Sequence, residues 1–142
     1  MNAFRAAAIL AAVAISLGST RPVTPQFDPA RAAWRHRATN HFDIYYPQTL
    51  DVGSIPREAE RAYGDVSRKL RQQVSGKVPL ILLPITADVP RTEQEAAVIV
   101  RASGAPARDH LLLAVEPRDG REGRLAHELT HIFEFEGLPR RD

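Results

Sequence analysis

The chain has 142 residues, of which 44% are hydrophobic and 25% are charged, a balance typical of one modest globular domain and not of a disordered or fibrous protein. Its 19 basic and 17 acidic side chains nearly cancel, so the composition does not indicate a nucleic-acid partner. Because cysteine is absent, a disulfide scaffold and thiolate-ligated zinc are excluded, and any metal must be held by histidine and carboxylate.

The first segment, residues 1–19, has the pattern of a secretory signal peptide. Arg5 supplies a positive charge, residues 6–17 are almost wholly apolar, and the small residues Gly18 and Ser19 follow. The apolar run is shorter than the roughly 20 residues that cross a bilayer. We therefore expect an exported protein, periplasmic or secreted, with no stable membrane span once the signal is cleaved. A retained N-terminal anchor is the alternative.

An extended leader is predicted at residues 20–39, which hold prolines and arginines without a clear period. Trp34 is a candidate for docking this leader onto the folded part. The folded part is expected to begin near residue 40, where apolar and polar side chains alternate from Phe42 to Tyr46 as in a half-buried strand. His41 is expected at the edge of this strand and not as a metal ligand.

A long helix is predicted from about Ser54 to Val74, because apolar side chains recur there at spacings of three and four. Pro56 suits its first turn and Gly76 its C-terminal stop. The stripe comprises Ile55, Ala59, Ala62, Tyr63, Val66, Leu70 and Val74. The opposite face, which includes Glu58 and Glu60, is expected to be solvated.

A second strand and a short helix follow. The aliphatic run Val78 to Leu83 is strand-like, and Pro79 favours its beginning or an edge position. Thr92, with Glu95 three residues later, forms a capping box before a short helix over residues 96–102.

A third strand at Leu111 to Val115 precedes a helix at about Arg124 to Glu136, which Gly137 and Pro139 terminate. The order of the predicted elements is strand, helix, strand, short helix, strand, helix. This order describes an α/β or α+β half-domain with a small sheet.

The last predicted helix carries the sequence His127-Glu128-Leu129-Thr130-His131, an HExxH motif. Residues four apart lie on one helix face, so His127 and His131 can bind one Zn²⁺ ion through neutral imidazole nitrogens. Glu128 can then act as a general base towards a water molecule that attacks a peptide carbonyl. The alternative is a pair of surface histidines beside an incidental glutamate.

The third metal ligand is the unsolved part of this site. Glu134 lies on the histidine side, but a straight helix separates it from His127 by about 10 Å, too far for one ion. Glu136 points elsewhere on the helix, so neither glutamate is expected to be a ligand. The remaining polar candidates are expected to be surface or loop residues: His36, His110, Asp109 and Asp119.

Three segments of the sequence together resemble the secreted bacterial peptidase-MA-like metallopeptidases of gluzincin type. They are the motif with its flanks at residues 126–135, the strand at 111–115 and the upstream segment His41-Phe42-Asp43-Ile44-Tyr45-Tyr46-Pro47. The resemblance covers roughly residues 40–140. It implies a partial zincin-like metallopeptidase domain at 40–142, of α+β class, with a small mixed sheet, a long N-terminal helix and a C-terminal HExxH helix.

The same resemblance implies a thermolysin-like zinc site, with His127 and His131 as ligands and Glu128 as base. It also implies that an extended peptide or protein substrate aligns along the edge strand formed by Leu111, Leu112, Leu113, Ala114 and Val115. The third ligand in such enzymes is a glutamate on a later helix, in a W-x-x-E-G-x-A segment.

No such later segment precedes Asp142, since Glu136-Gly137-Leu138 follows His131 too closely. We therefore expect an incomplete chain whose third ligand lies beyond Asp142. Two hypotheses follow: a zinc-dependent peptidase, or a truncated or degenerate periplasmic module that binds metal or a partner without catalysis. Substrate specificity and oligomeric state are not indicated by the sequence.

Overall fold

The computed structural model of the chain describes residues 26–84, 87, 90–106, 111–115 and 121–137. Within these ranges, the side chains at positions 114, 115, 135 and 137 are not described. The predicted signal peptide, most of the proline-rich part of the leader, and His110, Asp109 and Asp119 lie outside the described residues.

The described residues form a mixed α+β fold in which a four-stranded sheet is combined with three helices. The elements in chain order are β1 (Trp34–Ala38), β2 (Phe42–Pro47), α1 (Ile55–Leu70), β3 (Val78–Pro84), α2 (Glu93–Ser103), β4 (Leu111–Val115) and α3 (Arg121–Gly137). None of the helices in the described ranges is both long and apolar enough to span a bilayer.

The sheet is mixed and has the strand order β1-β2-β3-β4. β1 pairs antiparallel with β2, whereas β2 with β3 and β3 with β4 are parallel pairs. The register places Phe42 opposite Val78 and Leu80 opposite Leu111. β3 is central, and six of its seven residues are buried, because helices cover both faces of the sheet.

Helices α1 and α3 pack on one face of the sheet and α2 packs on the other. The core between the sheet, α1 and α3 is formed by Phe42, Ile44, Ile55, Ala59, Ala62, Tyr63, Val66, Val78, Leu80, Leu82, Leu111, Leu113, Leu125, Leu129, Ile132 and Phe133. On the opposite face, Ile81 and Leu83 of β3 contact Ile99 and Val100 of α2. The larger core therefore lies under the helix that carries the HExxH motif.

The strand β1 lies inside the segment that the sequence predicted to be a leader. Its five residues pair with β2 along the sheet edge, and the sheet therefore begins before residue 40. Trp34 packs against the core between the sheet and α2, as predicted for a residue that docks this segment. Within the segment, its indole N–H donates to the Pro29 carbonyl at 3.0 Å and its ring meets Phe27 edge-on.

Helix α1 is shorter than predicted and ends at Leu70. Arg71 adopts a left-handed conformation with φ of 54°, and its N–H donates to the Ser67 carbonyl. This cap terminates the helix before the predicted end at about Val74. Val74 still packs against the core from the loop, so the apolar spacing continued past the true end of the helix.

Candidate metal centre

Helix α3 positions the histidines by burying its opposite side. Leu125, Leu129 and Phe133 are at most 1% exposed and pack against α1 and the sheet. His127 and His131 lie on the other side of the same helix and are exposed to solvent. The apolar spacing of α3 thus turns both imidazoles outwards together, as the sequence predicted.

The two imidazoles approach each other through their Nε2 atoms. The Nε2 atom of His131 lies 3.2 Å from the Nε2 atom of His127, and the rings meet edge-to-face with centroids 4.8 Å apart. Two nitrogen ligands at roughly 2.0–2.1 Å from a tetrahedral zinc ion lie about 3.3–3.4 Å from each other. The spacing of the two nitrogens therefore fits a shared zinc ion with little movement.

Glu128 follows His127 directly and is partly buried on α3. Within the part of the chain that the structure describes, its carboxylate has no hydrogen-bond or ion-pair partner.

The two later glutamates of α3 have separate surroundings. Glu136 accepts a hydrogen bond from the Ser75 N–H at 2.9 Å and so joins the end of α3 to the loop before β3. Glu134 lies beside His131, with Oε2 3.8 Å from Nδ1, which is the ring nitrogen that faces away from His127. Among the described residues, no group of three potential metal ligands occurs.

The start of α3 is fixed by a buried ion pair that the sequence did not predict. Arg121 donates to both carboxylate oxygens of Glu58, at 2.7 and 2.9 Å, and the two side chains are 9% and 5% exposed. These hydrogen bonds raise the pKa of Arg121. Glu58 was expected on the solvated face of α1, so that expectation is wrong: the helix α3 covers this part of α1.

A second, exposed pair joins the same helices. Arg61 of α1 lies 2.6 Å from Glu122 of α3, and their side chains are 68% and 57% exposed. A cleft of about 950 Å³ opens beside these two pairs, at the N-terminal ends of α1 and α3. It is lined by Arg37, Thr39, Ser54, Pro56, Arg57, Glu58, Glu60, Arg61, Glu122 and Gly123. The histidine pair lies outside this cleft.

His41 immediately precedes β2, at the strand edge as expected, and is hydrogen-bonded to the carboxylate of Glu60. Its Nδ1 atom is 2.6 Å from Glu60 Oε2, and its ring stacks on Tyr63 with centroids 3.9 Å apart. Thr39 and the His41 N–H donate to the other oxygen of Glu60 at 2.6 and 2.8 Å. Glu60 therefore connects the β1–β2 turn to α1 and is not simply solvated.

Tyr63 links this network to the HExxH helix. Its ring centroid lies 5.2 Å from that of Phe133, and its hydroxyl accepts a hydrogen bond from the Val74 N–H at 3.0 Å. His36, the remaining described histidine, is on the exposed strand β1 with Nε2 3.1 Å from Asp43, where it was expected as a surface residue.

Strand β4 forms one edge of the described sheet, next to β3. Leu111 and Leu113 are buried towards α1 and α3, whereas Leu112 faces the opposite side and is partly buried. The side chains of Ala114 and Val115 lie outside the described part. Among the described residues, β4 pairs on one side only, with β3, and alignment of a substrate along its other edge stays a prediction.

Comparisons of the chain with protein-family models, curated proteins and solved structures give no match. The resemblance to gluzincin-type peptidases therefore depends only on the sequence segments quoted above.

Proposed function

We propose that this chain is an exported, zinc-dependent metallopeptidase domain of zincin-like type, which hydrolyses peptide bonds in a peptide or protein substrate. The observation that supports the proposal most is the convergence of His127 and His131 on one point in front of α3, with Nε2 atoms 3.2 Å apart. In the absence of an ion, the same spacing allows a hydrogen bond between the two rings.

The donor set suits zinc. His127 and His131 offer neutral nitrogens, the ligands that catalytic zinc sites most often use, and both are accessible from solvent. A zinc ion held there would supply Lewis-acid chemistry by polarising a carbonyl oxygen and acidifying a water molecule. Neither Glu134 nor Glu136 is proposed as the third ligand, since Glu134 faces Nδ1 of His131 and Glu136 is bonded to Ser75.

Glu128 is proposed as the general base of the reaction. It is adjacent to His127, partly shielded from water, and free of any neutralising partner among the described residues. It can take the proton of an attacking water molecule and later pass it to the leaving amine. An extended substrate strand would add to the edge of β4, where backbone N–H and C=O groups supply sequence-tolerant hydrogen bonds.

The experiment compares the purified chain with its Glu128→Gln variant in zinc-containing buffer, using an unfolded protein substrate and mass spectrometry of the products. We expect new peptide ends with the wild-type chain and a loss of at least about a hundredfold in rate for the variant. Bound zinc should be equal in both proteins, because Glu128 is not a ligand.

Zinc binding without any cleavage would instead support the non-catalytic metal-binding module. Cleavage that persists in Glu128→Gln would show that the activity does not depend on this base and would overturn the proposed mechanism.

A further inference from the structure

We propose that the cleft at the N-terminal ends of α1 and α3 binds an acidic side chain of a peptide substrate. The guanidinium groups of Arg37 and Arg57 hold its carboxylate, about two or three residues from the scissile bond. This inference rests on the proposed peptidase function and adds a substrate preference to it. Neither the HExxH motif nor the resemblance assigns a role to this cleft.

The three carboxylates that line the cleft already have partners within the fold. Glu58 accepts two hydrogen bonds from Arg121, at 2.7 and 2.9 Å. Glu60 accepts hydrogen bonds from the β1–β2 turn at 2.6 and 2.8 Å. Glu122 is paired with Arg61 at 2.6 Å. Each negative charge of the lining is therefore engaged inside the protein.

Two of the three arginines that line the cleft have no such partner. Among the described residues, the guanidinium groups of Arg37 and Arg57 make no hydrogen bond or ion pair, and both residues are exposed. Arg37 belongs to β1 and Arg57 to the first turn of α1, so two separate elements bring positive charge to one cleft. Its described lining therefore carries an excess of positive charge.

This charge resides in side chains and not in the start of a helix. The N–H groups of Arg57 and Glu58 donate to the Ser54 carbonyl at 3.1 and 3.0 Å, and position 56 is a proline, which has no N–H. A planar guanidinium binds a carboxylate through paired N–H donors. The volume of about 950 Å³ is that of a cleft for an organic ligand, larger than a small inorganic ion requires.

The cleft lies beside the proposed metal position. Gly123 lines the cleft and precedes His127 by four residues, so the two share one face of α3 and lie about 6 Å apart along its axis. Among the described residues, a Cβ at Gly123 would meet no heavy atom within 4 Å, so this part of α3 is open. An extended peptide advances about 3.3 Å per residue. A chain with its scissile carbonyl in front of the histidines therefore brings a side chain about two or three residues away to the cleft.

The expected preference follows from the exposure of the two arginines. A hydrogen bond to a charged group typically changes affinity by about 10- to 100-fold. Because water screens exposed charges, we expect the lower end of that range, near tenfold.

The first test identifies cleavage sites in a peptide library by mass spectrometry and compares kcat/KM for an acidic peptide and its amide analogue. We expect acidic residues to be enriched at one fixed position near the cleaved bond and kcat/KM to be about tenfold lower for the amide. The double variant Arg37→Gln with Arg57→Gln should lose this difference. The control, Arg35→Gln with Arg101→Gln, removes the same charge from exposed residues outside the cleft lining and should keep it.

The second test measures binding without catalysis, by fluorescence anisotropy in the presence of a chelator. The probe is a labelled peptide of alanine and serine with one central glutamate, compared with its glutamine analogue. We expect the glutamate peptide to bind about tenfold more tightly to the wild-type chain and the control, but not to the Arg37 and Arg57 double variant. If no peptide is cleaved, the proposed function fails, while this test still decides whether the cleft binds an acidic peptide. Equal binding of the two peptides, no binding of either, or equal losses in the two double variants overturns the inference.

Discussion

Replacement of Arg121 by methionine tests whether the buried ion pair with Glu58 fixes the start of the HExxH helix. Methionine keeps much of the length and volume of arginine but removes its charge and its hydrogen bonds. The carboxylate of Glu58, which is 5% exposed, then loses a bidentate cation partner. Ser54 Oγ also donates to this carboxylate, at 2.5 Å.

The expected loss is large for a single substitution. Removing one partner from a buried, well-formed ion pair costs about 3–5 kcal/mol of folding stability. Because both side chains are buried, water screens this pair little and the full cost is expected. For a domain of about a hundred residues this corresponds to a fall in Tm of at least about 12 °C. Loss of the pair should also loosen the first turn of α3, which precedes His127.

The assay is chemical denaturation followed by circular dichroism, with Arg61→Met as the matched control. Arg61 also joins α1 to α3, but its pair with Glu122 is exposed, so the same substitution there should cost less than about 1 kcal/mol. If Arg121→Met does not fold, the double variant with Glu58→Leu should restore most of the stability, since an apolar pair can replace a buried ion pair. Equal losses of stability in Arg121→Met and Arg61→Met would contradict the claim that burial makes the Arg121–Glu58 pair the stronger of the two.

Two further substitutions test the packing around the site. Burial alone would raise the pKa of Glu60, but hydrogen bonds from His41 and Thr39 lower it overall. The carboxylate therefore stabilises the fold above about pH 4.3 and loses this contribution as the pH falls through its folded pKa. Urea denaturation at about pH 7 and about pH 3 measures the free energy of unfolding that is lost on acidification, and this loss should be smaller for Glu60→Gln than for wild type. Leu129→Ala, at a side chain 0% exposed within the HExxH motif, should cost about 2–5 kcal/mol in the same assay. Leu70→Ala, at 38% exposure, should cost less than about 1 kcal/mol, and equal costs would contradict the assigned core.

The elements with strong hydrophobic periodicity were predictable from the sequence. The strands predicted at Val78–Leu83 and Leu111–Val115 are confirmed, the first extending to Pro84. The helix predicted over residues 96–102 is also found but begins earlier, at Glu93, with Thr92 accepting from the Glu95 N–H at 3.2 Å. The helix at Arg121–Gly137 begins a turn earlier than predicted, because Arg121 is held against α1 by a contact that lies far away in the sequence.

Strand β1 was missed because its sequence carries little hydrophobic signal. Four of its five residues, from Arg35 to Ala38, are exposed, and an edge strand paired on one side needs only backbone hydrogen bonds. The early end of α1 was missed for a different reason: Arg71, and not a glycine, takes the left-handed conformation that stops the helix.

The candidate site was predictable only in part. The HExxH spacing placed His127 and His131 on one face of a helix, and the structure shows their nitrogens together. The surroundings of Glu58 and Glu134 were not predictable, because each depends on a rotamer or on a contact between distant elements. Sequence spacing describes the face of a helix, but it does not show which ring nitrogen a neighbouring carboxylate approaches.

Zinc binding by the histidine pair is best decided by the zinc content of the purified chain after equilibrium dialysis, compared with that of His127→Ala and His131→Ala. Both histidines are exposed, so neither substitution should disturb folding, and circular dichroism can confirm this. We predict about one zinc ion bound per wild-type chain and a large loss of zinc in each variant. Zinc content that is unchanged in both folded variants would show that the two imidazoles do not hold the metal.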